Sequence, residues 1–495
     1  MFQKIVVYII LIFFLFVKNT YAKCNFNHYN FLEELKNPSY LKSINIKVNK
    51  KKNFYKNFYQ IMISKSENIP TSLKKNFQSK VIVNYKFGQC KYKANIRQLG
   101  DWKDHVKIVN GQPYRSLKVN LKEGNILNAV KFKLFIPETR NNYNEILGSV
   151  ILKRLGFLAP ETFEVNLILN NSTYKTIFQE DTTKEFLERN KKREGPIFEG
   201  DESLIWSYQD KDNFELENVS LSLLINYKWF LKGESSEKIV LRSFNQLQKS
   251  YLDYANNFPK SSLLMLPNNK DDQFFQDYYF ILTAMNASHA LRPHNRKFYY
   301  NAFTNKFEPI YYDGDLKLDS PLWLKFGSIE NDFKFFDKQF NFSKMDLFKN
   351  DLFRKEILND FKKRVLNFDK TLDLFFTNSI ENIIENSDEL HKLINNIQTS
   401  DFNIKNIDNS KSEVINSYIS RVKNHGVRQK NIISLVKDNR IYQAHLESND
   451  KIILTKEELS LILQENIFQK NRFVILNTSE QINNELFYVK EFQIE

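Results

Sequence analysis

The chain has 495 residues, of which 42% are hydrophobic and 15% aromatic, so it can form two or three domains with a buried core. This composition excludes an intrinsically disordered chain. The formal net charge is +14, but Lys, Asn, Ile and Phe are all abundant, as in AT-rich genomes, so the charge says little about partners. No cluster of basic residues alternates with aromatic residues, and we therefore expect no nucleic-acid partner.

The N-terminus has the three-part pattern of a secretory signal peptide. Met1–Lys4 is short and positive, Ile5–Val17 is uninterruptedly apolar, and Thr20-Tyr21-Ala22 places small residues at a cleavage site. The apolar run is shorter than the roughly 20 residues of a membrane-spanning helix. We expect cleavage after Ala22 and a periplasmic or secreted mature chain without a transmembrane helix, with an N-terminal membrane anchor as the alternative.

The chain contains two cysteines, Cys24 and Cys90. In an exported protein they either form one disulfide, tying the N-terminal tail to an early strand, or remain free. No histidine pair lies near them at ligand spacing, which excludes a zinc site.

Residues 23–79 are polar and predict an irregular N-terminal segment with a strand near Tyr59–Ser64. Residues 80–180 are rich in β-forming residues separated by Gly, Pro and Asn turns. The predicted strands are Val81–Phe87, Lys91–Leu99, Tyr114–Leu121, Val130–Ile136, Phe163–Leu169 and Tyr174–Glu180. One helix, Tyr143–Leu155, ends at Gly156. This region predicts a mostly antiparallel lobe of five or six strands.

Residues 181–400 predict a helical lobe, and residues 401–495 predict a further helix and a small β-containing unit. The expected helices are Lys184–Lys192, Leu221–Phe230, Glu237–Asn256, Asp272–Met285, Ser343–Phe368, Leu372–Glu385, Asp388–Ile397 and Glu413–Asp438. The C-terminal unit contains the predicted strands Ile441–Leu446, Lys451–Leu454, Phe473–Leu476 and Leu486–Phe492 and the helix Lys456–Leu463.

A β-hairpin interrupts the helical lobe. Strands Lys297–Phe303 and Phe307–Tyr312 flank a polar turn, with His289, His294 and Asn295 before the hairpin and Asp313 and Asp315 after it. Because a hairpin returns its ends to one side, Asn295, Asp313 and Asp315 are predicted to face each other and to hold Mg²⁺ against a phosphate. Alternatively, these residues are ordinary turn formers.

A β lobe followed by a helical lobe with such a hairpin is the order of a protein-kinase-like fold. The sequence therefore predicts an α+β, two-lobed, protein-kinase-like architecture with a small C-terminal appendage. The loop around Gly100-Asp101-Trp102 either covers a phosphate, stacks on a sugar, or forms a turn whose Trp102 plugs the lobe.

Four stretches in succession carry a resemblance to one family. They are Ile96–Trp102 with Tyr114–Val119, Phe132–Leu134 through Arg140-Asn141 to Leu155–Pro160, Ile177–Glu180 with Phe186-Leu187, and Asn295–Tyr300 with Pro309–Asp315. Together they resemble the CotH (spore-coat protein H) kinase-like family of atypical secreted or surface kinases. The similar region spans roughly residues 80–320, and the order and spacing of the stretches agree with the family throughout.

This resemblance implies ATP and Mg²⁺ as cofactors and phosphorylation of serine in a protein. It implies that Asp313 and Asn295 are metal ligands and that Asp315 is a supporting carboxylate. Lys118 is the candidate for the phosphate-binding lysine, in competition with Lys131 and Lys133, and each of these is alternatively a solvated strand lysine. Glu180 either contacts the nucleotide or caps the following helix.

The chain departs from the family where the catalytic Asp belongs, because residues 286–294 contain no carboxylate. His289 is the candidate base in its place, or else a structural histidine bonded to the backbone. Two functions remain in competition: ATP- and Mg²⁺-dependent phosphotransfer to protein serine or an envelope component, and an inactive module that binds a cell-envelope protein or glycan. A third is a metal-dependent enzyme that modifies envelope glycans or phosphates.

Overall fold

The structure is a computed structural model that describes residues 23–26, 34–66, 68–200, 222–257, 268, 272–322 and 343–399 and the backbone of five short strands between 432 and 491. It divides into two compact units. The barrel unit contains the described residues of Met1–Thr139, Glu161–Asp181 and Lys363–Asn367. The mixed-sheet unit contains those of Arg140–Pro160, Thr182–Lys362 and Phe368–Glu495.

The barrel unit is built on a sheet that closes on itself. Its strands are β1 (Lys23–Phe26), β2 (Leu41–Val48), β3 (Phe77–Tyr85), β4 (Gly88–Gln98), β5 (Val106–Val109), β6 (Gln112–Arg115), β7 (Leu117–Leu121), β8 (Lys131–Phe135), β9 (Thr162–Leu169) and β10 (Ser172–Glu180). Seven of them pair in the order β4-β3-β2-β9-β10-β8-β7, and β7 pairs again with β4. The β2–β9 pair is parallel and the other pairs of the ring are antiparallel.

Alternating side chains explain why these strands form a barrel. Along β3 and β4 every second residue is buried, and the residues between them are polar or half-buried. Ile44, Val81, Ile96, Val119 and Phe132 are fully buried inside. A period of two gives each strand one apolar face. When the sheet closes, all of these faces point into a common interior and are buried there.

Helix α1 (Lys51–Met62) packs against this barrel through residues at helical spacing. Phe54, Phe58 and Ile61 are fully buried. The predicted strand near Tyr59–Ser64 is wrong, because most of it is the C-terminal end of this helix. Short apolar runs such as those in this segment are compatible with either a strand or a helix when only the local sequence is considered.

The mixed-sheet unit has a nine-stranded sheet. Its strands are β11 (Ile197–Gly200), β12 (Ser222–Leu224), β13 (Lys297–Asn301), β14 (Lys306–Ile310), β15 (Ile432–Lys437), β16 (Arg440–His445), β17 (Lys451–Leu454), β18 (Arg472–Asn477) and β19 (Phe487–Glu491), in the order β14-β13-β11-β12-β19-β18-β15-β16-β17. Its helices are α2 (Tyr143–Arg154), α3 (Lys184–Arg189), α4 (Tyr227–Phe230), α5 (Glu234–Asn257), α6 (Gln273–Ala284), α7 (Ser343–Asp346), α8 (Asp351–Lys362) and α9 (Lys370–Thr399).

The two-lobed, protein-kinase-like fold predicted above is wrong. A closed seven-stranded barrel replaces the expected lobe of five or six strands, since the 23–79 segment supplies β2 and part of β3 and thereby completes the ring. The expected helical lobe contains a nine-stranded sheet, which joins the central hairpin to strands near the C-terminus. The C-terminal strands therefore belong to this sheet and do not form a separate appendage.

Several element boundaries also differ from the predictions. The predicted helix Leu221–Phe230 is strand β12 followed by α4, Ser343–Phe368 is broken into α7 and α8, and Leu372–Glu385 and Asp388–Ile397 form the single helix α9. Residues 432–437 of the predicted helix Glu413–Asp438 form a strand. The predicted signal peptide and helix Lys456–Leu463 lie outside the described residues.

Cys24 and Cys90 form a disulfide, which resolves the alternative left open above. The two residues face each other in the antiparallel pairing of β1 with β4, and β1 lies outside the closed ring. Among the described residues, no helix combines the length and apolarity needed to cross a membrane.

A buried carboxylate in the mixed-sheet unit makes stability depend on pH. Burial raises the pKa of Asp277 on α6 to about 6, against the hydrogen bond from Gln273 and the charge of Lys344, which lower it. Because the folded pKa exceeds the unfolded value, the folded protein is destabilised above about pH 6 and regains this stability as the pH falls toward about 4.

Asp277→Asn is therefore expected to be more stable than the wild type by about 1–2 kcal/mol near pH 7.5, with no difference near about pH 4. The asparagine keeps an acceptor for the Gln273 amide, which donates to Asp277 Oδ1 at 3.2 Å. Urea denaturation across this pH range measures the change. The exposed Asp346→Asn is the control, and an equal gain for both variants would refute the assignment to Asp277.

Candidate functional site

The central hairpin brings three of the predicted site residues together. Two short 3₁₀ turns, Ser288–Leu291 and Pro293–Asn295, precede β13, and the segment containing Asp313 follows β14. Lys297 pairs with Ile310 in the hairpin register, so both ends lie at one edge. There the Asp313 carbonyl oxygen lies 2.7 Å from His289 Nδ1, and Asn295 Nδ2 lies 3.0 Å from the His289 carbonyl oxygen.

These contacts place a proton on Nδ1 of His289. A carbonyl oxygen only accepts, so Nδ1–H of His289 donates to the Asp313 carbonyl oxygen. Asn295 Nδ2 lies 3.1 Å from Nδ1 and 3.3 Å from Nε2 of the same ring. His289 is thus a half-buried imidazole, bonded to the backbone, that ties the Asp313 loop to the turn before β13.

The carboxylate of Asp313 is paired with an arginine that the sequence reading did not assign to the site. Arg140 Nη1 lies 2.8 Å from Asp313 Oδ1, with side-chain exposures of 17% and 20%, while His289 Nδ1 lies 4.0 Å from Oδ2. Burial alone lowers the pKa of Arg140, but the carboxylates of Asp313 and Glu145 outweigh burial and raise it. Arg140 is therefore a permanent cation at this carboxylate.

A buried carboxylate, that of Glu145, lies near the pair of Arg140 and Asp313. Tyr311 donates its hydroxyl proton to Glu145 Oε2 at 2.8 Å, and both side chains are buried. Burial, and then the neighbouring charge of Glu145, raise the pKa of Tyr311 well above its usual value. Tyr311 thus remains a neutral donor that stabilises the Glu145 carboxylate.

Asp315 is exposed and contacts the start of helix α2. Asn141 Nδ2 donates to Asp315 Oδ1 at 2.7 Å and to the Leu316 carbonyl oxygen at 3.0 Å. Behind this contact, a Cβ on Gly148 of α2 would lie 2.3 Å from a Leu316 methyl group. The loop from Asp313 to Leu316 therefore lies directly against α2.

Both sides of this contact have unusual backbone conformations. Positive φ angles occur at Asn141 (49°), Asp313 (52°) and Asp315 (51°), and Asn142 has φ 55° and ψ −120°. Asn and Asp tolerate the left-handed region, whereas the conformation of Asn142 is one that glycine favours. Backbone strain held in place by surrounding contacts is common at ligand-binding sites. We name Arg140, Asn141, His289, Asn295, Asp313 and Asp315 the loop cluster.

The loop cluster does not fit Mg²⁺ as the resemblance implies. Each carboxylate already accepts from a protein donor, and the guanidinium of Arg140 would face a metal ion at Asp313 with like charge. Within the described part of the chain, no group of three or more His, Cys, Asp and Glu side chains is placed to hold a metal ion. We therefore derive no reaction step through a metal.

Lys118 and Glu180 lie in the barrel unit. Lys118 and Lys133 are opposite each other on β7 and β8, and their ammonium groups lie 2.7 and 3.8 Å from the carboxylate of Asp181. Lys133 is only 6% exposed. Glu180 is buried, and its Oε2 accepts from the Glu161 backbone N–H at 3.2 Å. Two of the three competing lysines thus share one counter-ion, Asp181.

Trp102 does not plug the barrel. Its side chain is 46% exposed, and the carboxylates of its neighbours Asp101 and Asp104 are exposed as well. The buried residue of this loop is His105, whose Nδ1 lies 2.9 Å from Ser116 Oγ. The loop is attached to the chain after α1, because Ile69 N donates to the Asp101 carbonyl oxygen at 2.7 Å.

Sequence reasoning missed Arg140, Glu145 and Asp181 as site residues. From the sequence, Arg140 is assigned only to a family-like motif, and Asp181 directly follows Glu180. The pair Asn141-Asn142 could have indicated an unusual turn at this site, because two asparagines before a helix favour left-handed backbone as well as a helix cap. The structure shows no capping hydrogen bond from the Asn142 side chain.

Comparison with protein-family models gives no match to this chain, and comparison with curated proteins gives none. The CotH resemblance therefore rests on the sequence stretches quoted above.

Proposed function

We propose that this chain is an exported, non-catalytic module that binds a component of the cell envelope. The observation that carries the proposal is the state of the loop carboxylates: Asp313 is paired with Arg140 at 2.8 Å and Asp315 with Asn141 at 2.7 Å. A kinase-type site needs such carboxylates available for metal. Here they connect the strained backbone before α2 to the strained backbone after β14. Segments fixed in this way form a rigid, preorganised binding surface.

The disulfide supports the export part of the proposal. Structural disulfides persist in oxidising compartments and are rare in the cytosol. Cys24 on β1 is joined to Cys90 on the paired strand β4, and Cys24 lies two residues beyond the expected cleavage site at Ala22.

Trp102 favours a glycan over a protein as the ligand. Its ring is exposed beside two exposed carboxylates, that of Asp101, which is paired with Lys74, and that of Asp104. An aromatic face stacks on the apolar face of a sugar while carboxylates accept from its hydroxyl groups. An exposed aromatic between charged residues suits a sugar ring better than it suits the broad apolar core of a protein interface.

Trp102→Ala is expected to reduce the affinity for purified envelope glycan about tenfold or more, since one stacked aromatic contributes about 1–3 kcal/mol. Trp102→Phe keeps a stacking face and is expected to retain most of the affinity. Titration calorimetry on the mature chain measures both, and the exposed Tyr59→Ala is the matched control. Unchanged binding by Trp102→Ala would show that Trp102 does not contact the glycan, and no binding by the wild type would refute glycan recognition.

The competing proposal is phosphotransfer from ATP with Mg²⁺. In its favour, His289, Asn295 and Asp313 come together at the hairpin ends. It predicts that ATP with Mg²⁺ raises the unfolding temperature and that Asp313→Asn abolishes the rise, whereas the binding-module proposal predicts no shift in either protein. Thermal unfolding with ATP and Mg²⁺, each alone and together, decides between the two.

A further inference from the structure

Three lysines form a row across the outer wall of the barrel. In the strand register Lys47 on β2 is directly opposite Lys80 on β3, and Lys80 is directly opposite Lys93 on β4. All three are exposed, and they alternate with buried residues, so they point away from the barrel interior. Neighbouring strands lie about 4.8 Å apart, so the backbone positions of the three lysines follow one another at about this spacing. We name these residues the lysine row.

The lysine row has no acidic partner among the described residues. The carboxylate of Glu123 lies beside Lys93, but its Oε1 accepts from the Lys93 backbone N–H at 3.3 Å. Like charges directly opposite each other on one face of a sheet destabilise it. The fold therefore retains an unfavourable arrangement that a bound anion would relieve.

A row of amides runs beside the lysine row. Gln78 is opposite Asn95, and Asn95 is opposite Asn120. Gln78 and Asn95 lie two residues from Lys80 and Lys93 along the same strands, so they share the outer face. Amide side chains donate to and accept from hydroxyl groups, and the lysines supply charge for carboxylates or sulfates.

We propose that the lysine row and the amide row bind an acidic polysaccharide that lies across strands β2, β3 and β4. This deepens the binding-module proposal above and rests on it, because it names the chemical class of the envelope glycan. A line of cations beside a line of amides matches a polymer that carries both anionic groups and hydroxyls. An anionic membrane would instead favour exposed apolar residues around the cations, and Ile82 is the one apolar residue on the outward faces of β3 and β4.

The proposal is tested with polygalacturonic acid as the acidic polymer, dextran as the neutral polymer, and vesicles containing phosphatidylglycerol as the anionic lipid. The wild-type mature chain is expected to bind polygalacturonic acid, more weakly at high salt, and to bind neither dextran nor vesicles with comparable affinity. The triple variant Lys47→Gln/Lys80→Gln/Lys93→Gln is expected to lose about tenfold in affinity or more. Vesicle binding that the triple variant abolishes, without polymer binding, would overturn the proposal in favour of a membrane surface.

The matched control removes three other exposed lysines of the barrel unit, Lys52→Gln/Lys56→Gln/Lys75→Gln, with the same change in net charge. It is expected to bind like the wild type, and an equal loss in both triple variants would overturn the proposal by showing a general charge effect. Lys80→Glu tests folding: it places a carboxylate between two lysines, so it is expected to raise the unfolding temperature while it weakens polymer binding. A stabilised Lys80→Glu that binds normally would also overturn the proposal.

These outcomes separate the two proposals. If envelope glycan binds to the wild type and to the lysine-row variant equally, the lysine row is not the site and the binding-module proposal stands. If neither envelope glycan nor polygalacturonic acid binds to the wild type, both proposals fail.

Discussion

Asp313→Ala is expected to lower the free energy of unfolding by about 3–4 kcal/mol. About 2–3 kcal/mol comes from leaving the half-buried cation of Arg140 without its carboxylate, and about 1 kcal/mol comes from placing alanine at a positive φ angle. Asp313→Asn keeps a residue that tolerates this conformation, so it is expected to lose only the first part. Urea denaturation of the three proteins gives both contributions.

A double-mutant cycle with Arg140→Met tests whether the pair accounts for the effect. The combined variant is expected to be less destabilised than the sum of the single variants, with a coupling energy of about 1–3 kcal/mol. The exposed Asp319→Ala is the control in the same unit. Additive single effects would show that Arg140 and Asp313 are not energetically coupled, and the account of the loop cluster would then be wrong.

Arg115→Met is expected to destabilise the barrel unit by about 3 kcal/mol or more. Arg115 is only 1% exposed, and its guanidinium donates to Gln98 Oε1 at 2.7 Å, to Asn57 Oδ1 at 3.2 Å and to the Phe54 carbonyl oxygen at 3.4 Å. The guanidinium carbon also lies 4.3 Å from the centre of the Phe54 ring. Methionine fills similar space but leaves these acceptors buried without donors.

All three acceptors of Arg115 are neutral, so the effect should be nearly independent of pH near neutrality. Burial lowers the pKa of Arg115 to about 10, and the side chain therefore stays charged there. The control is Arg97→Met on the outer face of β4, which is expected to change stability by less than about 0.5 kcal/mol. Equal losses for Arg97→Met and Arg115→Met in chemical denaturation would contradict the role assigned to the buried guanidinium.

The sequence predicted the local elements of the barrel better than its closure. Alternation identified β3, β4, β8, β9 and β10, because a period of two is a property of each strand by itself. It missed β5 and merged β6 and β7 into one predicted strand. Closure depends on β2 (Leu41–Val48) pairing in parallel with β9 and antiparallel with β3. The pairing of β2 with β9 joins distant parts of the chain, and a local sequence pattern cannot predict it.

The hairpin and its flanking residues were predicted for the same local reason, and the structure brings His289, Asn295 and Asp313 together. The pairing of Asp313 with Arg140 was not predictable from the hairpin. It requires the chain before α2 to turn through two positive φ angles at Asn141 and Asn142, and the local sequence does not specify which distant loop such a turn will meet.

The position of β1 has a consequence for how the chain associates with itself. Residues 94–98 of β4 pair with β7, whereas residues 88–91 of the same edge pair with β1. Without β1, these residues would present unpaired backbone N–H and C=O groups to other chains, and such edges template intermolecular sheets. The bond between Cys24 and Cys90 holds this short strand in place. The disulfide therefore protects against aggregation, because it keeps β1 on the strand edge that other chains could otherwise join.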